Sequence, residues 1–205
     1  MRVSELSRRS GVPVGRIKFY LREGLLHGGA LAAANQASYD ETHVERIRLI
    51  QSLIGVGGLS VAAAARVIAA IDSELPLPEV FDIAQRTVTD ERGSVGVSEE
   101  GLARISEVTA GWCAAPDNPG RLAAARIADS FARVGQTDDR GWFARYAAAA
   151  LLAAEADLDE IETRPDRNAR AETVVVGTVL GDALFAALRR IAQEHVTALR
   201  YGGAA

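Results

Sequence analysis

Apolar residues recur at three- and four-residue spacing along most of the chain, and glycine, proline and polar clusters cut that pattern into short helices. The first helix is expected over Val3 to Val12, with Ser4 as its cap and Gly11 supplying the left-handed turn at its end. Pro13 suits the opening of a second helix, which carries Ile17, Tyr20 and Leu21 on one side and ends at Gly24. Two short helices across a tight glycine turn make a helix-turn-helix.

The pattern then changes. Leu25 and Leu26 can begin a strand, Gly28–Gly29 can turn it, and Ala37 to Tyr39 can return it as a small hairpin, the wing. A third helix is expected from Asp40, with Val44, Ile47, Ile50, Leu53 and Ile54 as its apolar stripe, stopping at Gly55 to Gly58. Ser60 caps a fourth that reaches Ile71 or Asp72. Pro76 and Pro78 mark a boundary, since neither fits a helix interior. Beyond it five helices are expected, near 79–92, 98–114, 119–135, 139–162 and 169–200; Thr173–Val176 alternates like a strand but joins the last helix, whose stripe continues through Leu180, Leu184, Leu188 and Ile191. The expected class is mainly α: a winged helix-turn-helix at 1–72, a linker with a short dimerisation helix at 73–97, and an all-helical bundle at 98–205.

Charge sharpens this division. The chain of 205 residues has a net charge of −4, yet residues 1–72 hold 9 basic against 6 acidic side chains, and residues 73–205 hold 14 against 21. A basic head on an acidic body suits a protein that sets one end on a polyanion. The basic residues are 22 Arg and the single Lys18, a skew ascribed to genome composition. One cysteine, Cys113, excludes an internal disulfide, and three histidines far apart in sequence offer no metal pattern. Arg2, Glu5, Arg8 and Arg9 stand where a signal peptide needs an apolar run, and no 18 consecutive apolar residues occur. A cytoplasmic protein without membrane attachment, metal or cofactor is the expectation.

The segments S-E-L-S-R-R-S-G-V at 4–12, I-K-F-Y-L-R-E-G-L-L at 17–26, N-Q-A-S-Y at 35–39, and Arg46–Ile54 followed by G-L-S at 58–60 resemble the MerR family of bacterial transcription regulators in order and spacing. The resemblance covers about the first third of the chain. It implies a winged helix-turn-helix followed by a helix pair, binding to double-stranded promoter DNA as a homodimer, and work alongside RNA polymerase.

The residues themselves define a DNA face. The second helix would enter the major groove with its N-terminal residues nearest the base edges. Pointing away from Ile17 and Leu21 are Gly15, Arg16, Lys18, Phe19 and Arg22. Arg16 is the candidate to read a base, because guanidinium pairs bidentately with guanine. Lys18 and Arg22 would hold phosphates, and Phe19 could touch a thymine methyl. Tyr20 divides evenly between a phosphate contact and the core. Ser4 and Val14, at the starts of the two helices, complete the set with Asn35 and Tyr39 on the wing. The wing from Gly28 to Ala34 carries no charge, and Ser38 stands where the family commonly has a basic residue, so weaker and less salt-sensitive binding is expected.

The second domain is the natural sensor. Trp142 and Tyr146 are four apart with Phe143 adjacent, and Trp112 adds a fourth aromatic; a small apolar or aromatic effector could stack there, although a core role is the more common fate of each. Gly177-x-x-x-Gly181 lets another backbone come close, with packing inside the bundle preferred over a dimer contact. The short helix after Pro78 makes the family's usual long dimer seam look truncated, so other helices would share that contact. Nothing resembles a nucleophile elbow, a phosphate loop or an HExxH motif, so no enzyme activity is expected. An architectural excisionase-like protein and a protein-interaction module with weakened DNA binding are the alternatives.

Overall fold

A computed structural model of the chain describes residues 1–33, 36–90 and 96–202. Among them nine helices and one two-stranded hairpin follow in the order α1 (Val3–Ser10), α2 (Val14–Arg22), β1 (Ala30–Ala33), β2 (Gln36–Ser38), α3 (Glu41–Gly55), α4 (Val61–Asp72), α5 (Leu77–Asp90), α6 (Glu99–Val108), α7 (Pro119–Arg133), α8 (Trp142–Glu162) and α9 (Arg167–Tyr201). The chain is thus mainly α with a winged helix-turn-helix at its start. Two compact units form: Met1–Leu75 with Val175–Ala205, and Pro76–Val174. The last helix therefore belongs in part to the first unit rather than wholly to a C-terminal bundle.

In the first unit, local chemistry sets most boundaries. Gly11 takes φ +71° at the end of α1. The Ser7 hydroxyl donates to the Val12 carbonyl at 2.7 Å, which pins the turn into α2. Ser4 is not the cap expected; Arg2 holds that position, and Ser4 lies exposed within the first turn. Asp40 caps α3 by accepting from the Thr42 backbone N–H at 3.1 Å, and Ser60 caps α4 by accepting from Ala63 N–H at 3.2 Å. Leu6, Ile17, Leu26, Ile47, Ile50 and Leu53 are fully buried and form the centre of this unit.

The hairpin lies later than expected. Leu25 and Leu26 start no strand; both are buried, and their N–H groups bond the Tyr20 carbonyl at 3.0 and 3.2 Å. The strands pair Ala30 with Ser38 and Leu31 with Ala37, antiparallel, with an irregularity between Leu31 and Ala33. Gly29 therefore does not turn the hairpin. It lets the entering chain pass close to β2, since a Cβ there would stand 2.6 Å from the Ser38 carbonyl oxygen.

The α3–α4 turn uses glycine in the same way. A Cβ on Gly57 would meet Val179 Cγ1 at 2.3 Å and the Leu53 carbonyl oxygen at 2.7 Å, so α9 seats directly against that turn. Val175 and Val179 are buried there.

In the second unit, Ser98 caps α6 and is itself held by Asp129 of α7, whose carboxylate accepts from the Ser98 N–H at 3.0 Å and its hydroxyl at 2.5 Å. Those bonds hold the Asp129 carboxyl below its ordinary range. Gly101 is buried where a Cβ would stand 2.4 Å from Asp129 Oδ1 and 2.8 Å from the Ala125 carbonyl, which makes the α6–α7 contact close. Ile105, Ala125 and Ala128 form the local core, with Leu102, Val108 and Phe143 packed against it. Helix α6 ends at Val108, short of the expected 114, because Gly111 adopts φ +87° and reverses the chain. Thr173–Val176 lies within α9, as its stripe implied.

Candidate nucleic-acid interface

Helix α2 has one buried side and one open side. Ile17 and Tyr20 face the core at 0% and 4% exposure, Val14 and Phe19 are half-buried, and Gly15, Arg16, Lys18 and Arg22 are exposed. No acidic residue lies within the helix. Arg16 and Lys18 make no ion pair among the described residues, so both cations are free to meet an anion. Arg22 is engaged already: its Nε stands 3.2 Å from Glu23 Oε1, and its guanidinium sits 5.2 Å from the Phe19 ring centroid. Phe19 could reach a thymine methyl only after that cover swings aside.

Two tyrosines leave the expected DNA face. Tyr20 is buried beside Phe19, with ring centroids 6.1 Å apart. Helical spacing puts it on the Ile17 side, where it fills the small core. Tyr39 is buried too, its ring edge-on to His43 at 5.1 Å, and its N–H bonds the Met1 carbonyl at 2.8 Å. That bond ties the base of the wing to the start of α1. Asn35 lies outside the described residues, as does Ala34 of the uncharged wing.

Three other cations of the first unit pair with acids. Arg8 pairs with Glu5 at 2.7 Å and Arg9 with Glu41 at 2.5 Å, while Arg46 pairs with Asp72. The Arg8 hydrogen bond also holds the Glu5 carboxyl below its usual range. Arg2 is a residue that sequence reasoning passed over. It is exposed, and the Met1–Tyr39 bond places it beside the end of β2. No local signal could reveal this, because 37 residues separate it from Tyr39.

Beneath the wing the structure joins two histidines that are 16 apart in sequence. The His27 and His43 rings lie 4.0 Å apart between centroids, tilted by 41° to each other. His43 is buried, with Nδ1 at 2.7 Å from Asp40 Oδ1 and no partner for Nε2 among the described residues. Partial loss of solvent, and then the neighbouring His43, lower the His27 pKa. Hydrogen bonds from Thr42 and then His43 hold the Asp40 carboxyl far below the usual carboxylate range.

In the second unit the aromatic candidates separate. Trp142, Phe143 and Tyr146 do gather, and Phe131 joins them: its ring lies 5.0 Å from Trp142 and 5.3 Å from Phe143, edge-on to both. Trp142 and Tyr146 are 6.0 Å apart. Trp112 sits in the turn after α6 and has no ring contact with them among the described residues. Phe143 packs on the Ile105 core, so it supports structure. Beside Trp142 lies an open depression of about 380 Å³ lined by Thr137, Asp138, Asp139, Arg140, Trp142 and Arg145. Four of its six lining residues are charged and Trp142 supplies the one ring, so it mixes apolar surface with charge, unlike the wholly apolar site expected for a stacked effector.

Residues 1–71 match the model of the MerR HTH family regulatory proteins. The whole chain is similar to the crystal structure of a candidate transcriptional regulator from Streptomyces coelicolor A3(2), at 29% identity and a TM-score of 0.72, with 100% of each chain covered. No curated protein matches the chain.

Proposed function

From the premise that residues 1–71 are a MerR-type helix-turn-helix module, we propose that the chain is a transcription regulator that binds promoter DNA as a homodimer. The observation that carries the reading is the open face of α2, where Arg16 and Lys18 stand exposed and unpaired among the described residues with no acid in the helix. Arg16 reads a base edge, Lys18 holds a phosphate, and Arg22 holds a second one after exchanging Glu23 for it. Gly15 allows close approach at the N-terminal end of the helix, and Val14 and Ser4 flank it. The candidate regulator from Streptomyces coelicolor, alike over its full length, supports assigning both units to one regulatory protein.

The second unit is the place for an effector, at the Trp142–Tyr146 face or the depression beside it. A planar ligand that carries charged groups fits that lining, because Arg140, Arg145, Asp138 and Asp139 share it with one indole. Contact with RNA polymerase follows from the regulatory role.

The test is a footprint of the purified chain on promoter fragments, followed by binding measurements with Arg16→Ala. Loss of one bidentate base contact weakens specific binding by about 1–3 kcal/mol per protomer. A variant that protects the same sites at the same concentration overturns the assignment of Arg16. Failure of the wild type to protect any promoter overturns the regulator reading.

A further inference from the structure

The exposed half of α9 is the largest unexplained feature of the first unit. Nearly every residue from Leu184 to Tyr201 is exposed, and Leu184, Phe185, Leu188, Ile191, Val196 and Leu199 are each between 40% and 72% accessible. A helix of this length that buries nothing is only marginally stable in water, so a stable α9 requires a cover. Gly181 points the same way. A Cβ added there meets nothing within 4 Å, so packing within the chain does not account for this glycine.

Spacing identifies the cover. Gly181, Leu184, Leu188, Ile191, His195 and Ala198 alternate at intervals of three and four, the seam of a helix made to pair with a like helix. Phe185 and Leu199 widen the stripe on one flank. Residues 181–201 extend about 30 Å at 1.5 Å per residue. The six exposed apolar side chains present on the order of 600 Å², so two copies meeting on this face remove about 1,200 Å² from water, enough for a specific interface. We infer that α9 pairs with α9 of a second copy of this chain along the Leu184–Leu188–Ile191 seam.

This deepens the proposed function, since a homodimer is part of that reading. The helix belongs to the same unit as α2, and Val179 anchors it against Gly57 of the α3–α4 turn. Pairing through α9 therefore joins two DNA-binding heads, as a two-fold symmetric site requires. A bilayer is the competing cover, because α9 alone among helices of the described residues is long and apolar enough to span one. Arg189, Arg190, Glu194 and Arg200 argue against it: four charges fall within the exposed stretch, where a membrane span tolerates few.

The experiment is sedimentation equilibrium of the full chain with Leu188→Glu and Ile191→Glu. Both side chains are exposed in the protomer, so the substitutions leave its core intact, which circular dichroism verifies. The wild type is expected to be a dimer whose Kd each variant raises by roughly 100-fold or more, as a charge enters the seam from both copies. In a Cys113→Ser background, a bismaleimide is expected to join two copies through Ile191→Cys and not through Gln193→Cys, on the far side of the helix. Unchanged dimerisation of both glutamate variants overturns the inference. So does a monomeric wild type, whether free in solution or co-floating with phosphatidylcholine vesicles. The two readings separate in their failures. Promoter binding by a chain that stays dimeric with Leu188→Glu sinks the seam alone, and a seam-dependent dimer that protects no promoter sinks the regulator alone.

Discussion

Gly57→Ala probes a contact that ties α9 to the DNA-binding head. The new Cβ would stand 2.3 Å from Val179 Cγ1 and 2.7 Å from the Leu53 carbonyl oxygen, and neither separation is tolerable. Val179 is 3% exposed, so its side chain has little room to turn away. Overpacking of this kind costs about 1–3 kcal/mol. Against it stands the reduced freedom of the unfolded chain, worth about 0.4–1 kcal/mol in favour of alanine. The net expectation is a loss of about 1–2 kcal/mol, or roughly 4–15 °C in Tm for a unit of this size. Val179→Ala alone also destabilises by removing buried methyl groups, but in the double variant it relieves the closer of the two clashes. Urea unfolding of the four proteins forms a double-mutant cycle, with a favourable coupling of about 1 kcal/mol expected between the substitutions. Additive losses, or a Gly57→Ala protein as stable as the wild type, would refute the seating of α9 on this turn.

Further outcomes follow from other parts of the molecule. Gly101→Ala forces a methyl against Asp129 and the Ala125 carbonyl, so urea unfolding should show a loss of about 1–3 kcal/mol; no change would mean that α6 and α7 are not so close. Tyr20→Phe should leave DNA affinity within about twofold of wild type, because a buried ring makes no phosphate contact; a tenfold loss in a binding titration restores Tyr20 to the interface. With Lys18 and Arg22 as the α2 phosphate contacts of each protomer and Arg16 on a base, a dimer neutralises four phosphates, and the slope of log K against log salt should be about −4; a slope near −10 would require charges the wing does not carry. The His27 pKa is lowered in the folded state, so the unfolded chain binds that proton more readily. Its contribution to stability is present above about pH 6.5 and is lost as pH falls through the lower folded value. Thermal unfolding between pH 7.5 and 5.5 should show this decline, and His27→Gln should flatten it; an equal decline in the variant assigns the effect elsewhere.

Much of the helical order was legible because its signals are local. Asp40, Ser60 and Gly11 cap or end helices through bonds to neighbours within three residues or through their own φ, so the chain states them directly. The open face of α2 was equally plain, since Ile17 and Leu21 orient the helix and leave Arg16 and Lys18 outside. Tyr20 itself shows the limit. A tyrosine at the edge of a helical stripe is compatible with both core and phosphate, and only packing resolves which.

The placement of the hairpin, the burial of Tyr39 and the approach of His27 to His43 depend on contacts between distant segments. Gly29 is pressed against Ser38, Met1 bonds Tyr39, and the two histidines meet across the wing base. Gly28–Gly29 carries the same letters whether it turns a hairpin or lets one strand pass another, so local reading chose the commoner use. The fate of α9 divides along the same line. Its amphipathic spacing is written in the chain and determines that it needs a partner. That Val175 and Val179 give its middle turns to the DNA-binding head, leaving Leu184 to Leu199 uncovered, was decided only by the tertiary structure, because burial is a property of what comes to lie against a helix.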